Sequence, residues 1–262
     1  MKRFYGSGLP GVDPADLTGP FVVIEGQDGA GRSTHVRLLR DWLEGQGHAV
    51  AIVGLRRSAL IARELSNAKQ GNMLGRTTMS LFYATDLADQ LEHQIIPALR
   101  AGNIVLADRY IYTLMARDMV RGLDPEWVEG IYGMAPVPDA VFYIRVAPRR
   151  LVQRALAKTG VLDYWESGMD LGLSPDLFDS FVKYQTMLQR AYRELRKQYN
   201  FEIINGNRMA RAVMLDMRRR MSALLEREYS ERLVAAGTYG TNDVPPQTAS
   251  TGNGVAAETP PT

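Results

Sequence analysis

Phe21-Val22-Val23-Ile24-Glu25-Gly26-Gln27-Asp28-Gly29-Ala30-Gly31-Arg32-Ser33-Thr34 is the stretch that decides the fold. Its first four residues form a short apolar run, the pattern of a buried strand. A glycine-rich turn follows, and from Thr34 to Gln46 the residues Val36, Leu38, Leu39 and Leu43 recur at helical spacing. Strand, glycine turn and helix together are the context in which G-x-x-x-x-G-K-[ST] cradles a polyphosphate. Gly26, Gly31 and Ser33 fit the fixed positions, and Arg32 stands where the lysine is usual. Glycines let the backbone curl so that its N–H groups converge on phosphate oxygens. The helix that starts there adds its positive end. All of Gly26, Gln27, Asp28, Gly29, Ala30, Gly31, Arg32, Ser33 and Thr34 are therefore candidate ATP-binding positions, with the Ser33 hydroxyl placed for Mg²⁺. Arg32 keeps the cation but changes a point charge into a planar fork. The fork either grips β and γ oxygens in pairs or is too wide for the loop.

Composition narrows the chemistry. The chain of 262 residues has no cysteine, which removes disulfides, thiolate catalysis and cysteine-bound metal. His35, His48 and His93 are scattered without ligand spacing, so a histidine metal site is not expected. A net charge of +2 gives no case for nucleic acid as a partner. The run Arg218-Arg219-Arg220 reads as a solvated helix face. No apolar run approaches the roughly 18 to 20 residues that span a bilayer, and residues 1–20 lack the apolar stretch of a signal peptide. A cytoplasmic location and no membrane partner are the expectation.

Outward from the loop, strands are expected at Ala49–Val53, Asn103–Ala107, Ala140–Val146 and Phe201–Ile204. Helices are expected between them. Ser58 is placed to cap one. A long one covers about Thr77 to Arg100, bent or interrupted by Pro97. Further helical pattern fills Ile111–Met134, broken near Gly122, and then about Pro148, Pro175–Tyr199 and Met209–Arg227. Alternating strands and helices predict an α/β fold, a doubly wound five-stranded parallel sheet covered on both faces. Residues 1–20 read as an extended arm and 21–228 as the domain. The segment 229–262 is poor in apolar residues and reads as a disordered tail.

On these residues the chain resembles the thymidylate kinases, a family of P-loop nucleoside monophosphate kinases. Phe21 to Thr34 is similar to that family's strand and phosphate loop, with Asp28 at its loop aspartate. Ile104-Val-Leu-Ala-Asp-Arg-Tyr110 is similar to its strand ending in Asp-Arg-Tyr or Asp-Arg-His. Leu81 to Ala88, Ile96 to Gly102 and Asp163-Tyr-Trp-Glu166 match more loosely. The resemblance implies transfer of a phosphoryl group from ATP, with Mg²⁺, to dTMP. It implies that Arg32, Asp28 and Arg109 are catalytic, that Ser33 and Asp108 face the metal, and that Arg109 clamps the acceptor phosphate. Asp-Arg-Tyr at a strand end is otherwise a structural salt bridge. Arg57, Tyr83, Asp108, Tyr110 and Trp165 fall among the implied acceptor-binding positions. Arg56 competes with Arg57, and Tyr83 reads equally well as helix packing. Residues about 148–175, with Arg149, Arg150, Arg154 and Lys158, would form a lid that brings Arg154 to ATP; a solvated basic helix is the other reading. Small-molecule nucleotides are the implied partners, and a homodimer follows from the family habit alone.

The departures sit at base-reading positions. Leu87 stands where the family carries an arginine for thymine, Leu114 where Ser or Asn is usual, and Arg117 where a tyrosine often senses the sugar. A leucine cannot hydrogen-bond a base carbonyl. Two rivals therefore stay open: a kinase for another nucleotide or nucleoside, and a nucleotide-binding protein that has lost turnover through Arg32.

Overall fold

A computed structural model describes residues 2–70 and 74–235. Five strands, β1 (Phe21–Glu25), β2 (Val50–Gly54), β3 (Ile104–Asp108), β4 (Ala140–Arg145) and β5 (Phe201–Asn205), form one sheet in the order β2-β3-β1-β4-β5. Every pairing is parallel. All five residues of β1 and of β3 are buried, which is why both read as continuous apolar runs rather than alternating ones. The order reverses at β1, so the crevice beyond the carboxyl ends of β1, β3 and β4 is where such a sheet takes a ligand. The register Ile24↔Asp108 sets the phosphate loop and Asp108-Arg109 side by side.

The helices are α1 (Arg32–Gly45), α2 (Ala62–Gln70), α3 (Arg76–Gln90), α4 (Ile96–Arg100), α5 (Ile111–Val120), α6 (Pro125–Ile131), α7 (Pro148–Thr159), α8 (Leu177–Gln198) and α9 (Ala210–Ala235). Ser58 Oγ accepts from Leu60 N at 3.0 Å and Ile61 N at 3.2 Å, which ties the turn that leads into α2. The long helix is interrupted before Pro97, as expected, though without a gap. A π-helical turn, Leu91–Ile95, absorbs the proline: Ile96 N–H reaches back to Leu91 O, and Pro97 falls in the first turn of α4, where its missing N–H is least costly. Gly122, at φ 72°, ends the helix of α5. Among the described residues, those up to Leu224 and those from Leu225 to Ala235 fall in separate units. Helix α9 runs to Ala235, past the expected boundary at 228, and the rest of the expected tail, 236–262, lies outside the described residues.

The N-terminal arm is a docked strap. Phe4 bridges Pro136 antiparallel, Tyr5 N donates to Ala135 O at 3.0 Å, and Val137 N donates to Arg3 O at 2.8 Å. The Tyr5 ring meets Tyr112 and Tyr199 edge-on at 6.3 and 5.3 Å, and Lys2 pairs with Asp139. Asp139 also accepts from Phe21 N at 2.7 Å, so the strap fastens to the start of β1, at the end of the sheet opposite the crevice.

Candidate active site

Two clusters of arginine and carboxylate lie at the crevice. In the first, Arg32 folds back into its own loop. Its Nη1 donates to Gly26 O and Gln27 O, and its Nε to Asp108 Oδ1 at 3.2 Å. Ser33 Oγ donates to Asp108 Oδ2 at 2.6 Å, and Arg57 Nη2 lies 3.9 Å from the same oxygen. The fork suits this role, since several donors in one plane meet two carbonyls and a carboxylate at once. Positive φ at Gly29 (78°) and Gly31 (89°) is what lets the loop curl around it.

In the second cluster Asp28 lies between two guanidiniums. Arg109 Nη2 donates to Oδ1, and Arg117 Nη2 to Oδ2 at 3.4 Å. Burial, and then the like charge of Arg117, bring Arg109 down to about 10. The charge of Glu166 acts on both arginines. Arg109 itself holds φ 74°, a left-handed conformation rare outside glycine, with its N–H donating to Ile24 O at 3.0 Å. That twist turns its side chain from the end of β3 toward the phosphate loop.

Beneath both clusters lies Glu25, fully buried. Its Oε1 accepts from Tyr110 N at 2.9 Å and Thr113 N at 3.1 Å, and its Oε2 from Thr113 Oγ1 at 2.6 Å and Tyr192 hydroxyl at 3.0 Å. One carboxylate thus ties the start of α5 to the end of β1. A second brace uses Gln185 of α8. Gln27 Nε2 donates to Gln185 O at 2.5 Å and Oε1 at 3.1 Å, while Gln185 Nε2 donates to Glu166 O at 2.9 Å. A third is Asp86 of α3, which accepts from Arg56 N at 2.7 Å and Ser58 N at 3.0 Å and so shapes the turn that carries Arg57.

A cleft opens beside the second cluster, lined by Met79 and Tyr83 of α3, Leu114, Arg117, Asp118 and Arg121 at α5, Trp165, and Tyr184 of α8. It continues past Trp165 into a hollow of about 440 Å³ beside Tyr164 and Leu171. Tyr83 is buried in the packing of α3 and also lines the cleft. Leu87 is buried in the apolar core and does not line the cleft. Arg154 of α7 donates to Ala30 O at 3.4 Å and Gly206 O at 2.9 Å, which brings it to the phosphate loop; the side chain of Lys158 lies outside the described residues. Arg57 approaches Asp108, whereas only the backbone N–H of Arg56, at φ 59°, is tied to Asp86.

Tyr110 is a correction. Its ring packs edge-on against Phe21 at 5.1 Å and its hydroxyl donates to Pro136 O at 3.1 Å, inside the core. The reason is the turn at Arg109: once Arg109 faces the phosphate loop, the next side chain is carried beneath the sheet end. Sequence reasoning missed Glu25, Thr113, Tyr192, Gln185, Asp86, Asp118 and Arg121. Glu25 alone left a trace, a charged residue closing an apolar strand.

The family model for thymidylate kinase matches residues 24–216. A protein of Saccharolobus solfataricus called probable thymidylate kinase 2 is 37% identical over 204 residues, covering 78% of this chain and 95% of that protein. The probable thymidylate kinase of Pyrococcus abyssi is 28% identical over 197 residues, 72% of this chain and 89% of its own. The thymidylate kinase of Clavibacter sepedonicus is 38% identical over a shorter stretch of 103 residues, 38% of this chain and 48% of its own.

Proposed function

Because the chain belongs to the thymidylate kinase family, we propose that its crevice carries the γ-phosphoryl group of ATP to the phosphate of dTMP. A phosphate oxygen of dTMP attacks the γ-phosphorus in line, the bond to the bridging oxygen of ADP breaks, and dTDP and ADP leave. The acceptor oxygen is already ionised, so no strong general base is needed. The work left to the protein is positioning and charge stabilisation.

The observation that carries this reading is the adjacency of the two arginine–carboxylate clusters on neighbouring strand ends. One cluster sits in the phosphate loop, where ATP enters. The other faces the cleft, where a nucleoside monophosphate enters. Arg109 takes the acceptor phosphate, and Asp28 holds Arg109 in place. Arg32 braces the loop from within and offers its charge to the transferring group. Arg57 adds a cation from the far side of Asp108, Arg154 closes on the donor from α7, and Tyr83 and Trp165 flank the acceptor ring.

Ser33 Oγ and Asp108 Oδ2, already within 2.6 Å of each other, are hard oxygen donors of the kind Mg²⁺ accepts alongside nucleotide phosphates. Bound there, the ion would neutralise charge building on the phosphates. Among the described residues no cluster of three acidic or histidine ligands exists, which fits an ion held chiefly by the nucleotide. No described helix is long and apolar enough to cross a membrane. A cytoplasmic enzyme that works on free nucleotides, without nucleic acid, and that pairs as a homodimer completes the proposal.

Turnover of dTMP, dUMP, dCMP, dAMP and dGMP with ATP and Mg²⁺, read by ADP release, tests it. dTMP is expected to lead by at least about tenfold. ATP binding without ADP release from any acceptor would overturn it.

A further inference from the structure

The chain has no arginine at position 87 to read the acceptor base, yet one carboxylate on the cleft wall is left with an open acceptor. Leu114, Arg117, Asp118 and Arg121 share one face of the α5 segment by their spacing and line the cleft together. Met79 and Tyr83 face them, with Trp165 and Tyr184 at the sides. The wall is mostly apolar and aromatic, the lining a flat ring prefers. Asp118, only 7% exposed, breaks it.

Ser80 Oγ donates to Asp118 Oδ2 at 2.7 Å, and no described residue donates to Oδ1. The nearest cation is committed elsewhere. Arg121 gives Nε and Nη2 to Asp170 at 2.9 and 3.2 Å and Nη1 to the Tyr184 hydroxyl at 2.9 Å. That oxygen opens onto the cleft, where a ligand N–H can take the place of solvent in a charge-assisted hydrogen bond. Arg117 fixes the distance to the reacting end, because the same side chain lines the cleft and pairs with Asp28 at 3.4 Å.

Resting on the function proposed above, we propose that Asp118 Oδ1 accepts the N3–H of the acceptor's thymine or uracil ring. Base reading then comes from α5 in place of position 87 on α3. A cytosine ring presents a bare N3 to the same oxygen and is repelled. Burial pushes the Asp118 carboxyl up to about 6, so at pH 8 it is ionised and purely an acceptor.

Calorimetric binding of dTMP, 3-methyl-dTMP and dCMP to the full chain tests this, with Asp118→Leu and Asp118→Asn alongside. Wild type is expected to bind 3-methyl-dTMP roughly 10- to 100-fold more weakly than dTMP. Asp118→Leu should lose a similar factor for dTMP and no longer distinguish the two, with binding of a non-hydrolysable ATP analogue unchanged. Asp118→Asn, whose amide turns either way, should retain part of the dTMP affinity and gain affinity for dCMP. If the leucine variant fails to fold, the asparagine variant and the methylated probe decide. Equal binding of dTMP and 3-methyl-dTMP by wild type overturns the inference and leaves phosphoryl transfer standing. N3-dependent binding with no turnover of any acceptor would sink the transfer reading and leave this inference standing.

Discussion

Gln185→Leu should weaken both the fold and the grip on the acceptor, by amounts the brace itself sets. Gln185 is fully buried and neutral, so no protonation change complicates the count. Leucine removes the 2.9 Å bond to Glu166 O and the 3.1 Å bond from Gln27 Nε2. Gln27 Nε2 keeps its 2.5 Å bond to the backbone carbonyl at 185, so it loses one partner of two. Glu166 O loses the side-chain donor that held it, which costs about 1–3 kcal/mol. The lost Gln27 bond adds about 0.5–1.5 kcal/mol, and the more apolar leucine returns a similar amount. A net loss of about 1–3 kcal/mol follows, equivalent to roughly 3–10 °C in Tm for a domain of this size. The loosened segment carries Trp165 on the cleft wall and Glu166, whose charge acts on Arg109 and Arg117. KM for dTMP should therefore rise about three- to tenfold, with a smaller change in KM for ATP. Urea unfolding and steady-state kinetics read both effects. The double variant with Gln27→Leu should lose less than the sum of the two single changes, since both sever the same brace. A stability change under about 0.5 kcal/mol together with an unmoved KM for dTMP would refute the reasoning.

Arg32→Met removes the donors to Gly26 O, Gln27 O and Asp108, and should lower kcat about 100-fold or more. Arg32→Lys should fall between, since its three N–H donors radiate from one nitrogen and cannot span the acceptors that Nε and Nη1 reach from two; a lysine variant faster than wild type would show the guanidinium to be an impairment. Tyr5→Ala strips the ring from Tyr112 and Tyr199 and should cost about 2–4 kcal/mol by chemical unfolding. Its kinetic constants should stay at wild-type values, because the strap fastens to the far end of the sheet. Asp118 is raised by burial to about 6, above its unfolded value, so its contribution to stability is present below about pH 4 and lost as pH rises through 6. Its charged neighbours Arg117 and Arg121 stay ionised throughout, and Tyr132, another neighbour, stays neutral because burial raises its pKa. Wild type should therefore lose roughly 2–3 kcal/mol relative to Asp118→Asn between pH 4 and 8, seen as converging and diverging urea midpoints.

The sheet and its helices were legible because their signals are local. Apolar runs bounded by glycine give the strands, and 3.6-residue spacing gives the helices. Gly26 to Thr34 stood out because a phosphate loop needs fixed residue types at fixed spacing, and Asp108-Arg109 stood out only through the resemblance of its strand to the family's. The braces did not, because nothing in a sequence tells which far-off side chain meets which. Gln27 and Gln185 lie 158 positions apart, and Glu25 and Tyr192 lie 167 apart. Tyr110 misled for a local reason of another kind. Its neighbour Arg109 adopts φ 74°, and a non-glycine residue gives no warning of positive φ. The interruption at Pro97 was legible, but its form was not, since proline in a helical pattern does not tell a bend from a π turn.

The pairing of each arginine with a carboxylate also bears on how the crevice can hold so much positive charge. Arg32, Arg57, Arg109 and Arg117 converge on Asp108 and Asp28, and Arg32 and Asp108 are both largely buried. Left unpaired, buried guanidiniums would repel one another and forfeit solvation, as the lowered pKa of Arg109 already registers. The carboxylates hold them as phosphates would in the proposed function, but less fully. Asp28 divides its two oxygens between Arg109 and Arg117, so each arginine retains donors for an incoming anion. On the proposed function, binding would bury no new charge alone, since phosphate oxygens would join a site whose cations are already ordered. Asp28→Asn should accordingly loosen Arg109 and Arg117 and weaken acceptor binding, even though it makes the site more positive. Titration of dTMP with the asparagine variant decides the point, since a tighter complex would mean that net charge, and not the alignment of the two guanidiniums, governs capture of the acceptor phosphate.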